Sequence, residues 1–131
     1  MTIKVLHSEV VDLTLLKDNS DKKETDKSFD LSFETIYNDD KKNIFCNLFN
    51  ISVKHEGDFV LKAKYCTWFE VEKNITEEFK NSPFPSVNAP AIAFPFLRSF
   101  ISTVTVNAGY SPAILPSINF VAFNNKEKSE D

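Results

Sequence analysis

Apolar and polar residues alternate along most of the first 71 positions, and beyond them the alternation stops. TIKVLHSEVVDLTLL (residues 2–16) has Ile3, Val5, Val11, Leu13 and Leu15 on one parity and Lys4, Ser8, Asp12 and Thr14 on the other. KSFDLSFETIY (27–37) sets Phe29, Leu31, Phe33 and Tyr37 against Ser28, Asp30, Ser32 and Glu34. A period of two marks a strand with one buried face. NIFCNLFNISVKH (43–55) is apolar on both parities, as expected of a central strand covered on both sides. FVLKAKYCTWFEV (59–71) alternates again, with Phe59, Leu61, Ala63, Tyr65 and Phe69 opposed by Lys62 and Lys64. NDDKKN and HEGD are short turn signals, so the last three strands should form an antiparallel meander.

After Val71 comes an irregular connection, EKNITEEFKNSPFPSVNAP, carrying Phe79, Phe84 and several prolines. A helix is expected next. Asn88 is placed to cap it, Pro90 suits its first turn, and Asn107-Ala108-Gly109 ends it. Ile92, Phe96, Phe100 and Val104 recur every four residues, Leu97 and Ile101 widen the apolar face, and Arg98, Ser102 and Thr105 mark a narrower polar one. Pro95 should kink the first turns. YSPAILPSIN then runs extended, because its two prolines forbid helix. The reading is α+β, one domain over residues 1–131. A four-stranded antiparallel sheet (1–72, with a charged loop at 17–27) is followed by a long irregular connection (73–89), one long C-terminal helix (90–107) and an extended tail (108–131).

The stretch AFPFLRSFISTVTVNAGYSPAILPSINF (93–120) has one charge, and it could serve as core helix, membrane segment or assembly surface. Its longest apolar span, around Ile92 to Val106, contains Arg98 and falls short of the ~20 residues of a transmembrane helix. A four-stranded sheet offers this helix one face, whereas the helix is apolar over more than half its circumference. Exposed apolar surface on that scale favours oligomerisation. The N-terminus has no basic region followed by a long apolar run, so a cytoplasmic protein without a signal peptide is expected. A net charge of -4 argues against a nucleic-acid partner.

Catalytic and metal-binding patterns are missing. Two glycines exclude a P-loop and a dinucleotide-binding turn. His7 and His55 lie on different expected strands without a cysteine or carboxylate at ligand spacing, so no metal or cofactor is expected. Cys46 and Cys66 are too few for a disulfide framework. If Glu56-Gly57 is a two-residue turn, Cys46 lies opposite Thr67 and Cys66 opposite Asn47, which puts the two thiols on opposite faces of the sheet. Nothing points to an enzyme, and the chain reads as a binding protein.

From Ala89 to Phe123 the chain resembles the SecB-type protein-export chaperones. The likeness rests on Phe94-Pro95-Phe96 with Arg98 two residues on, the apolar helix ending at Gly109, then Pro112, Leu115-Pro116 and Asn119-Phe120. The resemblance implies an ATP-independent chaperone holding unfolded polypeptides, either preproteins or an antitoxin, in apolar grooves. Here the groove would be lined by Trp68, Phe69, Ile75, Phe79 and Phe84. It also implies a homotetramer, a dimer of dimers, with Phe96, Phe100, Ile101 and Val104 at the interface between helices. Family members that dock to the SecA translocase ATPase use acids on the exposed sheet face. Asp12 matches one, whereas Leu16 and Lys62 stand where others are expected, and the family's second helix and long tail are absent. The alternative is an oligomeric structural or adaptor protein whose groove takes one specific folded partner.

Overall fold

The computed structural model describes residues 2–20 and 26–129, apart from the side chains of 126–129. Most of the expected charged loop therefore lies outside the described residues. Strands β1 (Ile3–Lys17), β2 (Lys27–Tyr37), β3 (Ile44–His55) and β4 (Phe59–Val71) form one antiparallel sheet in the order β1-β4-β3-β2. The meander of the last three strands is as the alternation indicates. β1 crosses over to pair with β4, which leaves β1 and β2 as the two edges.

The odd positions of β3 and β4 build the core face. Phe45, Phe49, Phe59, Leu61 and Phe69 are all fully buried there. β1 departs from its expected parity. Register shifts between Val5 and His7, and again between Val10 and Asp12, insert one extra residue each, so the strand turns over twice. Ser8 and Val10 therefore share the core-side face with Leu13 and Leu15, and Val11 sits exposed at the second bulge.

The first bulge completes a polar row across the inner face, in which Ser8, Thr67, Asn47 and Thr35 stand side by side on successive strands. The Ser8 and Thr67 hydroxyls are 2.8 Å apart. Asn47 Nδ2 donates to Thr35 Oγ1 and to the Pro85 carbonyl, both at 3.3 Å, and so ties the connection to the sheet.

The β3–β4 turn has three residues rather than two. Asp58 N–H donates to the His55 carbonyl at 2.9 Å with Gly57 at φ 84°, as a type II turn requires. That moves the register by one residue, so that Cys46 lies opposite Trp68 and Cys66 opposite Leu48. Both thiols therefore stand on the same face, the one turned away from the helix.

The helical run begins earlier than expected. α1 (Glu77–Lys80) is a single turn capped by the Thr76 hydroxyl, which accepts from Phe79 N–H. A π-helical turn, Phe84–Asn88, then leads directly into α2 (Ala89–Asn107). Asn88 already has helical backbone angles, so its side chain does not cap. The uninterrupted run, Phe84–Asn107, is 24 residues and by length and composition could cross a membrane. The argument from length therefore fails. However, Ala89, Ala93, Leu97, Ile101 and Thr105, at every fourth position, are wholly buried, as in a core helix. α2 continues through Pro95, whose ring is exposed.

α2 ends in a Schellman motif. Gly109 takes φ 98°, its N–H donates to Val106 O, and Tyr110 N–H donates to Thr105 O. The tail then folds back along α2. Thr105 Oγ1 accepts from Ala113 N–H, Ser102 Oγ donates to Ala113 O, and Arg98 donates to Ser117 Oγ. The polar stripe on the helix is thus the attachment line of the tail.

The tail is extended only to Asn119, and a second helix, expected to be absent, follows it in short form. The Asn119 side chain accepts from Val121 and Ala122 N–H and so caps this helix, α3 (Phe120–Ser129). Phe120 packs edge-on against Phe33 and Phe94, and Phe123 stacks on Phe33 at 5.9 Å.

Three substitutions test this packing. Phe69→Ala should lower unfolding free energy by ~3–5 kcal/mol in a urea titration, because it leaves a ring-sized void. Trp68→Ala, on the half-exposed face, should cost far less. Asn47→Ala should cost about 1–3 kcal/mol by leaving the Pro85 carbonyl short of a donor, and should speed proteolysis in the connection at 81–88. Unchanged protease sensitivity would mean that Asn47 does not hold the connection.

Candidate functional site

Four phenylalanines form a column from the sheet to the surface of the connection. Phe69 stacks on Phe45 at 5.2 Å, Phe79 meets Phe45 edge-on at 5.6 Å, and Phe84 lies parallel to Phe79 at 5.8 Å. Thr76 and the Asn47–Pro85 bond fix the last two rings from either side. Ile75 is half-buried beside them, with its N–H donated to Lys42 O at 2.7 Å. Phe69 and Phe79 are core residues of this chain and present no free surface, a correction to their expected place in a groove. Phe84 and Ile75 remain half-exposed at the head of the column. Next to Phe84 an open groove of about 260 Å³ runs between the connection and α3, lined mainly by asparagine and serine side chains, with Pro83, Val87 and Val121 as its apolar part.

Trp68 does not join this group. It stands on the opposite face of the sheet, where Nε1–H donates to Glu9 at 3.2 Å. The two free thiols are its neighbours there. Cys46 and Cys66 are both buried and share a hydrogen bond, which together with burial pushes the Cys66 thiol up. The same bond pulls Cys46 down. Farther along this face lies a shallow concavity of about 550 Å³ whose lining includes Asp12, Asp30, Lys62 and Lys64. Asp12 is paired across the strands with Lys64, Thr14 with Lys62, and Leu16 points out beyond them, 68% exposed. The three positions singled out for translocase docking thus share one face, and lysines occupy its centre.

The third feature is apolar surface without a cover. α2 packs on β3 and β4, and no residue of β1 is buried. Val10 and Leu13, on the inner face of β1, remain 42% and 39% exposed. Alongside them α2 presents a second stripe. Phe96 is 47% exposed, and Phe100 and Val104 are half-buried, with Phe100 stacked on Tyr65 at 5.2 Å. Ile101, expected on this stripe, is fully buried against the sheet instead. It follows Leu97 by four residues, which places it on the core line rather than on the outer one.

Among the described residues no group of three or more His, Cys, Asp or Glu could hold a metal ion.

The comparisons with known proteins agree with this architecture. The fold is similar to a Mycobacterium tuberculosis SecB-like chaperone solved in complex with a ChAD peptide from an antitoxin, with a TM-score of 0.70, 10% identity, and 88% and 87% of the two chains covered. A Streptococcus agalactiae protein of unknown function superposes at a TM-score of 0.53 with 14% identity, covering 88% of this chain and 98% of that one. In sequence, the protein-export protein SecB of Anaplasma phagocytophilum is 37% identical over 76 residues, 56% of this chain and 47% of that protein. An uncharacterized protein of Methanocaldococcus jannaschii is 34% identical over 91 residues, 66% of this chain and 57% of that protein. The chain spans about half the length of the curated relatives it matches. The family model for SecB, preprotein translocase subunit, matches residues 11–131, and the chain belongs to the SecB family.

Proposed function

We propose that this protein is an ATP-independent holding chaperone of the cytoplasm that binds non-native polypeptides at the head of the phenylalanine column. The observation that carries the reading is Phe84, half-exposed and backed by buried Phe79, at the edge of the groove between the connection and α3. A ring held from behind offers contact area at little entropic cost and demands no single client sequence. Extended clients can add backbone hydrogen bonds to that contact.

The uncovered stripe of α2 and the inner face of β1 are proposed to meet further copies in a homotetramer, a dimer of dimers. Preproteins are the favoured clients. The antitoxin peptide bound by the M. tuberculosis neighbour favours a second reading, in which the client is an antitoxin. Docking to the SecA translocase ATPase is expected to be weak, because Lys62 and Lys64 flank Asp12 and would repel a basic partner surface.

Light scattering decides between this reading and an adaptor with one folded partner. The protein should suppress aggregation of several unrelated denatured proteins without ATP. Phe84→Ala should weaken binding of an unfolded polypeptide roughly fivefold, the worth of one aromatic contact. Trp68→Ala, across the sheet, should leave that binding unchanged. Protection of one partner only, or of none, would overturn the holding role.

A further inference from the structure

At the opposite end of the sheet from the column, β2, the end of β3 and the returning tail line a half-open cavity of about 300 Å³ that plays no part in the proposed client groove. Its lining is mixed, with Phe29, Val53, Ala113, Leu115 and the exposed Ile114 as the apolar part and Ser28 among the polar. Two of its lining residues are different in kind. His55 is 95% buried, from its 5% exposure, and its ring packs on Phe59 at 4.6 Å. Among the described residues its imidazole has no hydrogen-bond partner. Lys27 lies directly across the strands from it, exposed and without an ion pair among the described residues.

The His55 ring is largely buried but its nitrogens stay within reach of water, and with neither bonded among the described residues they are open to a further partner. The cavity is where that partner can sit. A cation and an imidazole N–H on one side and aliphatic walls on the other select for a negative charge on an apolar stem. We propose that this cavity binds a carboxylate carried on a short apolar group, with the Lys27 ammonium and His55 meeting the carboxylate and Phe29, Val53 and Leu115 taking the stem. Such a ligand is either a small free acid or the C-terminal residue of a polypeptide. The proposal does not rest on the chaperone reading.

The charged groups whose fields reach the His55 ring are Lys27 on β2 and Asp58 in the β3–β4 turn, and the tail from Tyr110 to Ser117 contributes no charge. Burial first, and Lys27 second, hold His55 below the ordinary histidine range, against a smaller opposing effect of Asp58. The unliganded ring is therefore neutral at pH 7. A bound carboxylate favours the imidazolium, so binding should raise the pKa of His55 and tighten as pH falls toward it.

The test is NMR titration of the full chain, following the His55 ring resonances. The probes are N-acetyl-leucine, hexanoate and a decapeptide ending in leucine, each compared with its amide. Binding of a carboxylate with about tenfold weaker binding of its amide, and a similar loss in Lys27→Gln, is the expected result, the worth of one charge-assisted bond. Hexanoate binding as tightly as the decapeptide would identify small acids as the ligand class, and binding of the decapeptide alone would identify chain ends. Lys27 is exposed, so its substitution reads the site even where His55→Gln disturbs folding. No movement of the His55 resonances with any probe, or equal movement with acid and amide, overturns the proposal.

Discussion

The width of the sheet relative to that of a helix governs this fold. Strands about 4.8 Å apart make four of them span roughly 14 Å between the outer axes, wider than the roughly 10 Å that one helix covers. α2 packs on the two central strands, where its buried line Ala89, Ala93, Leu97, Ile101 and Thr105 meets Phe49, Leu61 and their neighbours. α3 and the connection cover the β2 side through Phe33, Phe120 and Phe123. Among the described residues no comparable element covers the middle of β1, where Val10 and Leu13 stay exposed beside Phe96 of α2, while Ile3, Val5 and Leu15 pack against the core.

Two apolar surfaces remain on the single chain. At the connection, Phe84 is the exposed end of a stack that begins at Phe69. On α2 the second of two adjacent four-residue repeats lies outermost. One repeat packs inward and the other is left outside, so a helix apolar over most of its circumference is what a protein of this shape requires. The phenylalanine-rich composition follows, since large flat side chains fill the wedge between a twisted sheet and the elements laid across it.

Much of this was legible in the sequence because period-two alternation and turn residues report local geometry directly. The four strands, the meander and the α2 C-terminus at Gly109 are where the pattern puts them. The misses in strand register share one physical cause, an insertion of one residue. Two bulges reverse the faces of β1 twice, and a third turn residue brings Cys46 and Cys66 to one face, changes to which alternation is blind because it assumes an unbroken register. Asn119, an N-cap residue followed by Phe120 and Phe123 at helical spacing, was a signal for α3 that the neighbouring prolines obscured. Trp68 parted from Phe79 and Phe84 because adjacency in sequence says nothing about which side of a sheet a loop returns to. Arg98, Ser102 and Thr105 grip a segment that comes back from beyond the helix, a tertiary contact that no local pattern encodes.

The central claim is that the open inner face of β1 and the outer stripe of α2 are closed by other copies of the chain. Sedimentation velocity at micromolar concentration tests it most directly, because the chain mass of 14.9 kDa makes a monomer and a tetramer easy to separate. The account predicts a tetramer for the native sequence. It also predicts a smaller species for Phe96→Asp, with unchanged far-ultraviolet circular dichroism, since Phe96 is 47% exposed in the single chain. A native protein that sediments as a 14.9 kDa monomer would contradict it.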